Sequence, residues 1–94
     1  MKYRSKTDII AMILRAANNG ATKTKLMYSA YLSYVQVVDY IEFLLAKKLL
    51  QRDPQTELYG LTERGVHYLR VYEKIIELMN INPDVIGQPE MQLR

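Results

Sequence analysis

The sequence predicts a mainly helical α+β domain with one small β-hairpin. Three observations carry that prediction. Apolar residues recur at helical spacing in four segments. The breaker-rich segment Pro54-Gln55-Thr56-Glu57 separates two short runs suited to strands. The chain of 94 residues has the length of one domain, and its 49% hydrophobic content argues against disorder.

Met1 to Lys6 is a short basic arm carrying Lys2, Arg4 and Lys6. In the first helix Ile9, Ile10, Ile13, Leu14 and Ala17 make one apolar stripe. Ser5 or Thr7 caps its start, Asp8 lies in its positive first turn, and Asn18-Asn19-Gly20 ends it. Ala21-Thr22 has room only for a stub of strand. Thr22 also caps a short second helix from Lys23 to Ser29 or Ala30, with Leu26 and Met27 inward and Lys23 and Lys25 outward. Tyr31-Leu32 is a brief connection in which Leu32 points inward. Ser33-Tyr34-Val35-Gln36 is a capping-box pattern opening a third helix that runs to about Lys47. Val37, Tyr40, Ile41, Leu44 and Leu45 form its buried face, leaving Ser33, Val35, Gln36, Asp39 and Glu42 outside.

Leu49 to Asp53 and Leu58 to Leu61 read as the hairpin strands, with Leu50, Tyr59 and Leu61 inward. Thr62 caps the last helix, and Glu63 sits at its positive end. That helix has one apolar stripe of Leu69, Tyr72, Ile76 and Met79 and a second of Tyr68, Val71, Ile75 and Leu78. Two stripes are more apolar surface than one small domain covers. Tyr68, Val71, Tyr72, Ile75, Leu78 and Met79 are therefore candidates for a dimer surface. The helix is expected to end near Asn80, ahead of Pro83. The domain, dimerisation helix included, is expected over residues 1–80, followed by an irregular or disordered tail at 81–94.

Charge and composition narrow the function. Residues 1–53 hold nine Lys/Arg and four Asp/Glu, a net of +5; residues 54–94 hold four and six, a net of −2. A basic N-terminal half suits a polyanion, since phosphate contacts release counterions. The absence of cysteine excludes disulfides and thiolate zinc sites, and a lone histidine, His67, builds no histidine metal cluster. No Gly-rich phosphate loop, pair of catalytic carboxylates or nucleophile motif stands out. No enzymatic activity, metal or cofactor is expected. No apolar run has the length of a membrane span, and no signal-peptide pattern follows the N-terminal charges. The expected location is the cytoplasm, in association with the nucleoid.

The order helix, stub, helix, helix, hairpin, helix defines a helix-turn-helix with a wing. In such a pair the second helix presents its N-terminal residues to base edges in the major groove. Ser33, Tyr34, Val35 and Gln36 are the candidates for that contact. Gln pairs with adenine in a bidentate way and Ser bonds base or phosphate, although Ser33 and Gln36 also serve as caps. Lys23, Lys25 and Tyr28 sit where the preceding helix would cross the phosphates. Lys2 and Arg4 of the arm and Arg52 and Gln55 of the wing complete the candidate set. The eight tyrosines are spread over core-spaced positions, so core or dimer packing is expected of them rather than base stacking.

Three segments carry a resemblance. Lys2-Tyr3-Arg4-Ser5 leads into Asp8-Ile9-Ile10. Thr22-Lys23-Thr24-Lys25-Leu26-Met27-Tyr28 is followed by Leu32-Ser33-Tyr34-Val35-Gln36, and Leu61-Thr62-Glu63-Arg64-Gly65 closes the wing. Together they resemble the small archaeal winged helix-turn-helix proteins of the ten-kilodalton chromatin and transcription-regulator class, over roughly residues 2 to 79. That resemblance implies a homodimer joined by an antiparallel coiled coil of final helices, double-stranded DNA as ligand, and no catalysis. Two departures stand out. Pro83 shortens the final helix, and the third helix bears Asp39 and Glu42 with no Lys or Arg before Lys47. These acidic groups repel phosphates. They favour the alternative reading, a winged-helix protein–protein interaction module marked by an apolar patch around Val35 and Val38.

Overall fold

The computed structural model describes residues 4–79. The elements are α1 (Lys6–Ala16), α2 (Lys23–Ser29), α3 (Tyr34–Ala46), β1 (Leu50–Arg52), β2 (Tyr59–Leu61) and α4 (Glu63–Met79). This is the α+β order expected from the sequence. The expected helix end near Asn80, the tail 81–94 and Lys2 lie outside the described residues.

The helix starts follow from local chemistry. Ser5, not Thr7, caps α1: its Oγ accepts from Asp8 N at 3.1 Å while the Asp8 carboxylate accepts from Ser5 N at 2.9 Å. Thr22 Oγ1 accepts from Lys25 N at 3.1 Å to open α2. Ser33 and Gln36 close the same reciprocal box on α3, at 3.1 and 2.9 Å.

The core lies where α1, α2, α3 and β1 meet. Ile13, Leu14, Leu26, Val37 and Leu44 are completely buried, and Leu50 is nearly so. Burying such a side chain contributes about 1.5–3 kcal/mol. Ala11 joins them beside the predicted stripe. The Ala21 stub bridges Tyr59, each donating its N–H to the other's carbonyl at 2.9 and 2.8 Å. The β2 strand is thus flanked by the stub and by β1, which pairs antiparallel with Leu50 opposite Leu61 and Arg52 opposite Tyr59.

Thr62 joins the wing to α4. Its Oγ1 accepts from Gly65 N at 2.9 Å and donates to the Lys48 carbonyl at 2.6 Å. Gly65 is buried so closely against the Leu49 carbonyl that a Cβ would collide with that oxygen. The helix then runs along α1. Tyr68 Oη donates to the Thr7 carbonyl at 3.1 Å, Tyr72 Oη donates to the Asp8 carboxylate, and Arg15 pairs with Glu73 at 3.3 Å. Beyond Tyr72 the apolar residues of α4 are exposed, Leu78 by 72% and Met79 by 73%.

The tyrosines correct one expectation. Tyr40, Tyr59 and Tyr68 are half-buried against the core, but Tyr28, Tyr31 and Tyr34 are 70%, 78% and 60% exposed. Tyr28 and Tyr31 lie at the C-terminal end of the seven-residue α2, whose one fully buried residue is Leu26, and Tyr34 opens α3 on its exposed first turn. Among the described residues no helix is long and apolar enough to cross a membrane.

Candidate nucleic-acid interface

The turn between α2 and α3 is built by a left-handed residue. Tyr31 has φ 55°. Leu32 N donates to Met27 O at 3.0 Å and Tyr31 N to Tyr28 O at 3.2 Å, the paired bonds of a Schellman ending. Leu32 packs against the core as expected. With that residue fixed, Ser33 starts a new helix whose first turn faces solvent.

Ser33, Tyr34, Val35 and Gln36 are all exposed, and Val37 is the first buried residue after them. The four predicted groove residues therefore share one exposed helix start. The capping box restricts their chemistry. Gln36 Oε1 accepts from Ser33 N, so while the box is closed Gln36 presents its amide NH2 as a donor. Lys23 lies with its Nζ 5.4 Å from the centre of the Tyr34 ring, a cation–π contact that joins the start of α2 to the start of α3. Lys25 and Tyr28 are exposed on α2, whose first turn contains no acidic residue. Asp39 and Glu42 are exposed further along α3. The first turn of α3 thus has the Lys23 cation beside it, and the acidic Asp39 and Glu42 are exposed further along the helix.

The wing carries the next candidates. Arg52 pairs with Glu57 at 3.2 Å, and both side chains are about half exposed or more. An exposed pair of this kind is worth roughly 0–1 kcal/mol, so it restrains Arg52 weakly. Gln55 is exposed at the tip, where Asp53 Oδ1 accepts from its backbone N at 2.9 Å and sets the turn. Arg4 of the arm reaches back to the turn: its guanidinium donates to the carbonyls of Ala30 and Tyr31. Nothing in the local sequence signals that contact, because it spans 26 residues.

The predicted dimer residues fall into two groups. The rings of Tyr68 and Tyr72 stack at 6.4 Å and are hydrogen-bonded to α1. Val71, Ile75, Leu78 and Met79 are exposed. With Ile76, Thr7 and Asp8, residues of both groups line an apolar groove of about 330 Å³. At its α1 end the Tyr72 hydroxyl, followed by the Ser5 hydrogen bonds, holds the Asp8 carboxyl below its usual range. The same hydrogen bond, with burial and the Asp8 charge adding to it, pushes the Tyr72 phenol up to about 12.

A helix-turn-helix followed by a two-stranded wing and a closing helix is the winged helix-turn-helix architecture. The family model described as winged helix-turn-helix matches residues 3–80, and the chain belongs to that family. An uncharacterized protein of Methanocaldococcus jannaschii is 34% identical over 82 residues, which cover 85% of this chain and 81% of that protein. The fold is also similar to the crystal structure of Sso10a-2, a DNA-binding protein from Sulfolobus solfataricus. The TM-score is 0.73 at 24% identity, over 82% of this chain and 83% of that one. Both source organisms are archaea, in agreement with the resemblance carried by the arm, the helix-turn-helix and the end of the wing.

Proposed function

We propose that this chain binds double-stranded DNA as a homodimer, acting as a transcriptional regulator or a chromatin-associated protein. The observation that carries the reading is the exposed first turn of α3, Ser33 to Gln36, with Lys23 of α2 beside it and Lys25 exposed on the same short helix. The DNA binding of the structurally similar Sso10a-2 supports it. In this reading the start of α3 enters the major groove. Gln36 donates to acceptor edges such as guanine O6 and N7, and reads adenine in a bidentate way only once its cap opens. Lys23, Lys25 and Tyr28 hold phosphates, as do Lys2 of the arm and Arg52 and Gln55 of the wing. Asp39 and Glu42 keep the remainder of α3 away from the backbone.

The test is duplex affinity as a function of salt for wild type and Lys23→Ala/Lys25→Ala. Each phosphate contact contributes about 0.9 to the slope of log affinity against log salt, so the double variant is expected to lose about 2 units of slope. An absent interaction at low salt, or an unchanged slope, overturns the footprint. Comparing random with selected duplexes then separates a regulator from a coating protein, because the ratio of the two affinities is the informative quantity.

A second reading, a protein-interaction module, is favoured by the exposed patch of Tyr28, Tyr31, Tyr34 and Val35. Val38 is half-buried against the core, so that patch is built from the turn rather than along α3. A wild-type chain that leaves all duplexes unbound at low salt selects this reading.

A further inference from the structure

Arg4 reaches from the arm to the end of α2. Its guanidinium donates to the carbonyls of Ala30 and Tyr31, the latter at 3.2 Å, and to the Met12 thioether at 3.3 Å. Its Cζ lies 5.8 Å from the centre of the Tyr31 ring. Both carbonyls belong to the negative end of α2, where unpaired C=O groups gather and a cation is favoured. The side chain is also held from its own end. Ser5, the next residue, is locked in the capping box with Asp8, and the other oxygen of that carboxylate accepts from Tyr72.

Tyr31 is the residue that turns the chain from α2 into α3. Its backbone is left-handed, a conformation disfavoured for any residue with a Cβ. Its side chain is 78% exposed, so burial does not hold it. Beside the two backbone bonds that close the turn, the guanidinium that binds its carbonyl and lies over its ring is the side-chain contact that holds it. Ser33, the cap of α3, follows two residues later, so the direction of the α3 start depends on Tyr31.

We infer that Arg4 is a positioning residue for the recognition helix: it fixes the left-handed turn at Tyr31 through backbone carbonyls and so supports DNA binding without touching a phosphate. The inference rests on the DNA reading above. It separates cleanly from a phosphate contact because arginine and lysine differ. A lysine serves a phosphate as a point charge. It does not bridge two carbonyls while laying a flat face against a ring.

The experiment measures duplex binding of the full chain over a salt series for wild type, Arg4→Lys and Arg4→Gln. Both variants are expected to lose about tenfold in affinity, the scale of a lost charge-assisted hydrogen bond, with the salt slope unchanged. Adding Tyr31→Gly to Arg4→Lys is expected to restore most of the loss, since glycine takes the left-handed conformation unaided. Wild-type affinity in Arg4→Lys, with a drop of about one unit of slope in Arg4→Gln, means a phosphate contact and overturns the inference. Wild-type affinity in both variants, or a loss that Tyr31→Gly leaves unrepaired, overturns it as well. A wild-type chain that binds no duplex removes the DNA reading instead. The Arg4 inference is then decided by the Tyr31 Cα chemical shift. A shift that leaves the left-handed range in Arg4→Lys supports it, and an unmoved one overturns it.

Discussion

Single residues in this domain are fixed by identifiable atoms. Gly65 is the clearest case, because a Cβ there would occupy the space of the Leu49 carbonyl oxygen. The obstacle is backbone, which yields less readily than a flexible side chain. Gly65→Ala is therefore expected to destabilise by about 2–3 kcal/mol, the upper part of the range for overpacked positions. For a domain of this size that lowers the thermal midpoint by roughly 10 °C or more; an unchanged midpoint would show that α4 shifts without penalty. Tyr72 and Asp8 make a second, pH-dependent case. The Asp8 carboxyl is lowered in the fold from 3.8, so its contribution is present above that pH and is lost as the pH falls through the folded value. The Tyr72 phenol is raised from 10.0 to about 12, so its contribution is present below pH 10 and is lost between those values. In Tyr72→Phe the acid loss is expected to be smaller and complete at higher pH, because only the Ser5 hydrogen bonds still lower Asp8, and the alkaline loss to shrink to the part due to Tyr68, whose phenol is raised by burial and by Asp8. Circular-dichroism melts across pH check both limbs, and a profile identical to wild type refutes the coupling.

At the scale of elements, the sequence reads more reliably at helix starts than at helix ends. Ser5, Thr22, Ser33 and Thr62 act as caps on backbone N–H groups three residues away, so the signal is local. The first turn of α3 was legible as a site for the same reason. Helix ends are announced by glycine when a left-handed residue is needed, and Gly20 does so after α1. The turns after α2 and α3 instead use Tyr31 and Lys48, at φ 55° and 63°. Tyrosine carries no stop signal, lysine marks a helix end through its charge and not through its backbone, and the role of Arg4 comes from a contact made only in the folded chain. The exposure of Tyr31 is not legible in spacing, because it lies in the turn between α2 and α3 and belongs to no helical stripe. Lys48 gives a test of this account. Leu49 N donates to Leu44 O at 2.9 Å and Lys48 N to Leu45 O at 3.1 Å, so the ending is fully formed despite its residue type. Lys48→Gly removes a left-handed penalty of about 1–2 kcal/mol and adds unfolded-state entropy that offsets part of it. The expected result is a gain of roughly 0.5–1 kcal/mol, or a few degrees in thermal midpoint. A fall in the midpoint would mean that the lysine side chain stabilises the α3 end by more than its backbone strain.

At the scale of the molecule, the decisive surface is α4 beyond Tyr72. The first half of the helix is used within the chain, where Tyr68 and Leu69 pack on the core and Tyr68 and Tyr72 bond to α1. The second half leaves Ile75, Leu78 and Met79 at 50%, 72% and 73% exposure, with Val71 at 43%. Covering a large aliphatic side chain completely is worth about 1.5–3 kcal/mol, so several covered together favour association strongly. A second copy laid along this face would supply that cover, and two α3 starts on one dimer would match two half-sites of a duplex. The prediction is that the full chain sediments at micromolar concentration with twice the mass of one chain. Ile75→Gln/Leu78→Gln is expected to sediment as a monomer that keeps its helical content, because both side chains lie outside the core. These substitutions leave the net charge unchanged, so any loss of DNA affinity reports the lost pairing rather than a weaker field. The dimer reading then requires the variant to bind a duplex with two half-sites more weakly than wild type while binding a single half-site alike. A monomeric wild-type chain would remove the paired geometry, leaving the start of α3 to make its contacts one domain at a time.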